Sequence, residues 1–442
     1  MAQPSTAGPA PAAPAKISEK TAGQVAFAAL VGTALEWYDF FLFTTASALV
    51  FNVQYFISGD PVQATLYSFG TLAVGFVARP IGGVICGMLG DKFGRKKILM
   101  ITIVGIGVVT GLIGLLPTYA SIGVAAPVLL IVLRILQGLA VGGEWSGAVT
   151  IAVENAPPAK RARYAAMPQI GSPIGTLLSS GGFFLVAALI SEDNFDSWGW
   201  RIPFLAAIPL LLVALWIRSR LSESPEFEAL MASGETEHAP VRRTFLESWR
   251  QILIGMASTL LGVGGFYLVT TFSVYYGTSI LGLPQALMLL ATLVAAAVEI
   301  PILVWGGRLG EKFGASRVIL WGGVAAVLAA FPVFLAVQSG EPVLVVFGVT
   351  VGVACLSLPY AVSGTALTGL FPAKTRYTGV AIASNAASVI SGFVPMAATA
   401  LLAAASNSIV PIALLLMVIA GFTAVSGLLI PRWSVVEKGL LR

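Results

Sequence analysis

Charged side chains are scarce in this chain, and a few of them stand where water is not expected. Glu36, Asp39, Arg79, Arg134 and Glu299 each fall inside a run of apolar residues long enough to form a buried helix. A charge withdrawn from water is costly, and it is kept where it binds a ligand or moves an ion. Glu36 and Asp39 are three residues apart, so they share a helix face. Two carboxylates so placed repel, and burial favours the protonated form of at least one, so the pair can carry a proton. Asp39 is the first choice, one turn closer to the expected outside. Arg79 offers a planar, permanently charged fork that suits a carboxylate. It can hold Asp39 or Glu36 while a site is empty and an anionic ligand once it is filled. A permanent structural ion pair is the competing reading. Arg134 opens the segment RILQG, with coupling and structural roles both open. Glu299, in AAAVEIPILVW, has no basic residue in the surrounding spans. It is a second candidate proton site, or else a neutral hydrogen-bonding group.

The elements that must position these residues are membrane helices. The chain is 57% hydrophobic and 10% charged, against about 25% charged in a soluble domain. About 20 apolar residues span the hydrocarbon core as a helix. Twelve such runs are read here: 23–52, 64–87, 97–116, 126–151, 165–190, 201–219, 251–279, 286–307, 317–338, 343–370, 378–405 and 409–431. Glu36 lies roughly 18 Å along its helix from Gln24, and Arg79 roughly 22 Å from the outer end of its own, both near mid-membrane. All but three of the 25 Lys and Arg then fall in tails, in loops on one side or, as Lys97, Arg218 and Arg317 do, at span ends on that side. The exceptions are Arg79, Arg134 and Arg201, the last capping an outer helix end. Cations collect on the cytoplasmic side, so both termini are expected inside. The 48 Gly and 25 Pro suit membrane helices that pack closely. Cys86 and Cys355 read as free thiols within spans. Trp198 and Trp200 are expected in an outer aromatic belt.

The chain repeats itself. GMLGDKFGRKK begins at Gly87 and GRLGEKFGASR at Gly307, half a chain later; PPAKRARY and PAKTRY recur near the same offset. The reading is an all-α membrane protein of two pseudo-symmetric six-helix bundles. The expected divisions are a disordered tail at 1–22, a first bundle at 23–219, a linker at 220–250 holding the sole histidine, His238, a second bundle at 251–431, and a tail at 432–442.

With Gly87, Leu89, Asp91, Lys92, Gly94, Arg95 and Lys96, the first repeated segment resembles the loop signature of the major facilitator superfamily. LEWYDFFLF (35–43), FVARPIGGVICGMLGDKFGRKK (76–97), RILQGLAVGGEWSGA (134–148), SWGWRIPFL (197–205) and LSESPEFEAL (221–230) resemble the metabolite:proton symporter family, and most of all its shikimate-type members. The resemblance implies the major facilitator fold, a bacterial inner-membrane location, and uptake of a small organic anion or zwitterion together with H⁺, as a monomer. It also implies an inner gate braced by Asp91, Arg95, Lys96, Glu144, Glu154 and Arg161. Arg134, Gln137 and Gly138 follow a pattern of the wider superfamily, as do Glu154 and Arg161. The second half departs from pattern: Ala315 and Ser316 replace the counterparts of Arg95 and Lys96, and Gly369 stands where relatives carry Glu. The gate is therefore expected to be held mainly by the first half.

Tyr38, Gln169, Tyr267, Tyr360 and Asn385 complete the candidate ligand site, with Gln169 and Asn385 at equivalent positions of the two halves. Each Tyr can equally be packing or an interfacial anchor. No phosphate-binding Gly-rich loop, metal-ligand cluster or nucleophile–base set occurs, so ATP-driven transport, a metal or other cofactor and an enzymatic role are not expected. The basic balance belongs to inside loops, so no nucleic-acid partner is expected either. A facilitator, a proton antiporter and a transport-dead receptor are the alternatives. A mid-membrane Arg favours anionic cargo over cationic drugs.

Overall fold

The computed structural model describes residues 19–56, 60–93, 95–142, 144–154, 156–219, 245–371 and 376–434. Among them, nine helices are long and apolar enough to cross a membrane, and three shorter apolar helices, Met100–Leu115, Ala125–Val141 and Arg201–Val213, supply the remaining spans. The helices are α1 (Ala22–Gln54), α2 (Pro61–Phe93), α3 (Arg95–Leu115), α4 (Ala125–Val141, then Glu144–Glu154), α5 (Arg161–Leu189), α6 (Arg201–Ser219), α7 (Trp249–Ile280), α8 (Gln285–Phe313), α9 (Ala315–Gln338), α10 (Pro342–Leu370), α11 (Arg376–Ala404) and α12 (Val410–Trp433). All twelve expected spans are present. Most of the two tails and most of the linker lie outside the described residues.

Two six-helix bundles result. In the first, α1 packs on α5, α2 on α4 and α3 on α6; in the second, α8 and α9 pack on α10, and α9 on α12. The bundles meet where α2 lies along α11 and α5 along α8. Many hydroxyls within the spans bond to their own helix: Thr44 donates to Phe40 O and Ser391 to Ala387 O, each at 2.7 Å. Glycines set the closest approaches. A Cβ on Gly138 would lie 2.1 Å from Gly75 O, and one on Gly142 2.0 Å from Arg79 O, so α2 and α4 touch backbone to backbone. That contact fixes the height of Arg79.

Two local expectations change. The repeated segments are not loops throughout: α2 runs on to Phe93 and α8 to Phe313. Gly314 ends α8 at φ 88°, a conformation glycine adopts without strain. Trp200 is fully buried among Phe51, Tyr55 and Phe204, so only Trp198, 57% exposed, is placed for an aromatic belt. Arg201 does cap the end of α6, donating to Ser197 O at 2.9 Å. Cys86 and Cys355 are free.

A candidate ligand and proton site between the bundles

Arg79 lies midway along α2, with its guanidinium over the rings of Phe76 (4.9 Å) and Phe40 (5.3 Å). Its Nη1 is 3.5 Å from Glu36 Oε1, and both side chains are largely buried. Of the two expected partners, the structure gives Arg79 to Glu36. Asp39, one turn along α1, belongs to a second network. Its Oδ1 accepts from Gln137 Nε2 at 2.6 Å and from the Thr110 hydroxyl. Gln137 Oε1 in turn accepts from Arg134 Nη1. Arg134 thus reaches Asp39 through the amide of Gln137, one turn along its own helix. The Arg134 guanidinium rests on Phe43, 4.2 Å from the ring centre. Aromatic faces stabilise both cations in a space with little water.

A cavity of about 40 Å³ lies between the bundles. The first bundle walls it with Glu36, Trp37, Arg79 and Trp145, the second with Thr259, Tyr360, Ser384, Asn385 and Ser388. One wall is ionic and aromatic; the other carries hydroxyls and an amide. Asn385 Nδ2 donates to Gly142 O at 3.1 Å, bridging the bundles beside the cavity. The end expected to face out is closed by Phe41 against Phe266 (5.1 Å) and Phe69 against Tyr275 (6.1 Å). At the opposite end α8 closes on α5: a Cβ on Gly307 would meet the Ala166 side chain at 3.0 Å.

A second cavity, about 30 Å³, lies within the first bundle, with Glu36, Asp39, Thr110 and Glu144 among its walls. The helix restarting at Glu144 packs on α1, which puts Glu144 in the wall of this cavity. Glu36 lines both cavities. A cavity of this size holds on the order of one or two waters where polar groups line it.

The other expected residues divide. Tyr360 and Asn385 line the ligand cavity. Tyr38 does not: its hydroxyl donates to Pro203 O at 2.5 Å within the first bundle, and its neighbour Trp37 faces the cavity instead. Tyr267 is fully buried behind Arg79, stacked near Phe40 (5.0 Å) and Phe76 (5.8 Å). Gln169 ties the bundles together, accepting from Trp145 Nε1 at 3.1 Å and donating to Ser363 Oγ at 3.1 Å, rather than facing the cavity. Glu299 is 1% exposed, and neither carboxylate oxygen has a hydrogen-bond partner among the described residues. The side chains of Gly87–Lys96 and of Glu154 lie outside the described residues; Arg161 opens α5, partly buried. A neighbouring residue, Arg163, forms the ion pair across this end, 2.8 Å from Glu311 Oε2 on α8. Trp37, Trp145, Thr259, Ser384 and Ser388 were not anticipated. The signal for the last two was present, since Ser384, Asn385 and Ser388 share one face of α11 at helical spacing.

The comparisons with known proteins agree with this architecture. Residues 25–251 match the family model described as "Sugar (and other) transporter". The chain is 38% identical to the inner membrane metabolite transport protein YhjE of Escherichia coli K12, over 83% of this chain and 84% of that protein. It is 38% identical to the shikimate transporter of the same organism, over 87% and 89% respectively. The proline/betaine transporter of Salmonella typhimurium LT2 is 32% identical over 91% and 82%. Among solved structures, the proton:xylose symporter XylE bound to a bromodeoxyglucose superposes with a TM-score of 0.74, at 18% identity, over 95% of this chain and 97% of that one. The fold, the family match and the relatives agree, and the chain belongs to the sugar (and other) transporter family of the major facilitator superfamily: it is a membrane transporter, not an enzyme.

Proposed function

We propose that this protein takes up a small hydroxylated organic acid together with H⁺, by alternating access across a bacterial inner membrane with both termini inside. The observation that carries the reading is the Arg79–Glu36 pair on one wall of the inter-bundle cavity, facing Ser384, Asn385 and Ser388 on the other. A cargo carboxylate takes the guanidinium fork, and hydroxyls on the cargo meet the opposite wall. Among the described residues, Arg79 is the one cation on that wall, which favours a monocarboxylate over a dicarboxylate. The same fork would receive the carboxylate of a zwitterion. The 38% identity to a shikimate transporter supports the hydroxylated acid.

Coupling follows from competition. In the empty site Glu36 neutralises Arg79. An arriving carboxylate displaces it, and the released Glu36 takes a proton, because a buried carboxylate that loses its guanidinium partner is costly. Asp39, which shares the second cavity with Glu36, passes that proton inward from the outer side. Arg134, Gln137 and Thr110 hold Asp39 in position for this transfer. Without the proton, the loaded site carries an extra buried negative charge, so cargo and proton move together. The cavity is complete within one chain, which supports a functional monomer; H⁺ is the only coupling species needed.

The test is uptake of a panel of labelled acids into proteoliposomes, with and without an inward proton gradient. Accumulation that rises with the gradient and collapses with a protonophore is expected. Gradient-independent equilibration would indicate a facilitator, and outward coupling an antiporter.

A further inference from the structure

Glu299 takes no part in the coupling just described, yet it is among the most costly residues in the second bundle. It is 1% exposed and both its oxygens lack hydrogen bonds among the described residues. An unsatisfied buried polar group costs about 1–3 kcal/mol, and an unpaired ion far more, so the side chain sits here as the neutral acid. A Leu or Met would fill the same space without that cost. The position is therefore not explained by packing in this conformation.

Its surroundings connect it to the cargo site. Gly306, two turns on and so on the same face of α8, approaches the Ala361 side chain of α10. Glu299 thus faces α10, beside Ser357 and close enough to Tyr360 to interact electrostatically. The Ser357 hydroxyl donates its hydrogen to Val353 O at 2.6 Å, leaving only its acceptor side for Glu299. Tyr360 lines the ligand cavity, and its own hydroxyl meets no hydrogen-bond partner of good geometry among the described residues. The titratable group facing Glu299 is Tyr360. The charged residues on the elements packed around it, Arg308, Glu311 and Lys312 on α8, Arg317 on α9 and Arg161 and Arg163 on α5, all lie toward the far end, about 13 Å or more along the helix. The adjacent face of α8 forms the α5 interface, which must part in alternating access. A carboxyl sealed dry beside such an interface gains water when the interface opens, and then it can ionise.

We propose that Glu299 is a second proton-binding site, loaded and emptied in each cycle, so that two protons accompany each carboxylate. The proposal rests on the symport reading above. The charge balance is explicit: a monoanion with two protons carries one net positive charge inward, and with one proton it carries none.

The experiment clamps the membrane potential of proteoliposomes with potassium and valinomycin at zero pH gradient and follows labelled shikimate, with quinate and other hydroxylated monocarboxylates as further probes. One moving charge predicts about tenfold accumulation per ~59 mV of inside-negative potential. Glu299→Gln should abolish this response while a pH gradient still drives uptake, and Glu299→Asp should restore it. Counterflow exchange certifies that each variant is folded. Wild-type uptake that answers to pH but not to potential overturns the second site and leaves one-proton symport standing. So does a Glu299→Gln variant that keeps the full response. Uptake that answers to neither gradient overturns the symport reading and this inference with it.

Discussion

Replacing Glu36 by Gln removes the group that competes with cargo for Arg79, so binding should tighten rather than weaken. The magnitude follows from the geometry. The Arg79–Glu36 contact is 3.5 Å, at the long end for an ion pair, with the two side chains 11% and 2% exposed. A hydrogen bond to a charged partner contributes about 1.5–3 kcal/mol, the long distance argues for the low end, and Gln retains roughly half as a neutral acceptor. About 0.8 kcal/mol of competition is relieved, a roughly 4-fold gain in affinity. The pH dependence should change as well. In the parent protein, rising pH ionises the displaced Glu36 and returns it to Arg79, so affinity falls. The variant has no such group and its affinity should be flat. Trp37 and Trp145 line the cavity, so quenching of their fluorescence by added acid reports binding directly. An affinity that drops in Glu36→Gln, or that keeps the parent's pH slope, would falsify the exchange of partners at Arg79.

Arg79→Lys keeps the charge but loses the fork, and should raise the apparent KM for uptake about 10-fold, the loss of one charged hydrogen bond; an unchanged KM removes Arg79 from the cargo site. Asp39→Asn should lose gradient-driven uptake while counterflow exchange persists, since exchange needs no net proton movement; a variant that still concentrates cargo places the carrier elsewhere. Gly142→Ala would put a Cβ 2.0 Å from Arg79 O and should push α2 from α4 by more than 1 Å, whereas Gly105→Ala meets Ala140 at an ordinary 3.5 Å. A shift of that size costs on the order of 100-fold in turnover at a positioned site, so uptake rates should separate the two variants sharply. Glu311→Gln should leave the melting temperature nearly unchanged, because a part-exposed pair contributes about 0–1 kcal/mol, yet speed thiol labelling of Ser388→Cys from the inner side.

The spans and their pairing into halves were legible because membrane helices are written in composition: twenty apolar residues between polar loops leave little else to form. The mid-span charges were equally visible, since each violates that composition. Their partners were not. Glu36 and Asp39 differ by one turn, and sequence alone offered both to Arg79. What separates them is the α2–α4 contact through Gly75, Gly82, Gly138 and Gly142, which sets the height of Arg79 against Glu36 and leaves Asp39 to Gln137 and Thr110. Tyr38 and Trp37 are adjacent, and a helix rotation of one residue decided which faced the cavity.

The end of the transporter where α5 and α8 meet shows why imperfect symmetry can serve transport. Ala315 and Ser316 stand where the first half has its basic pair, and Gly369 puts no carboxylate at the end of α10. The second half nonetheless contributes through Glu311, the acid left in its motif, which reaches across to Arg163. The end of α10 is tied instead through its backbone carbonyls: Arg376 Nε donates to Thr368 O at 3.1 Å, and Ser434 Oγ to Gly369 O at 2.9 Å. These bonds stay within one bundle and can persist through a cycle. The Arg163–Glu311 pair spans the bundles, and at 48% and 17% exposure it is screened by water and salt. A latch that must open in every turnover is best built from a contact worth little. A buried pair at that place would hold one conformation against the free energy that cargo and proton supply.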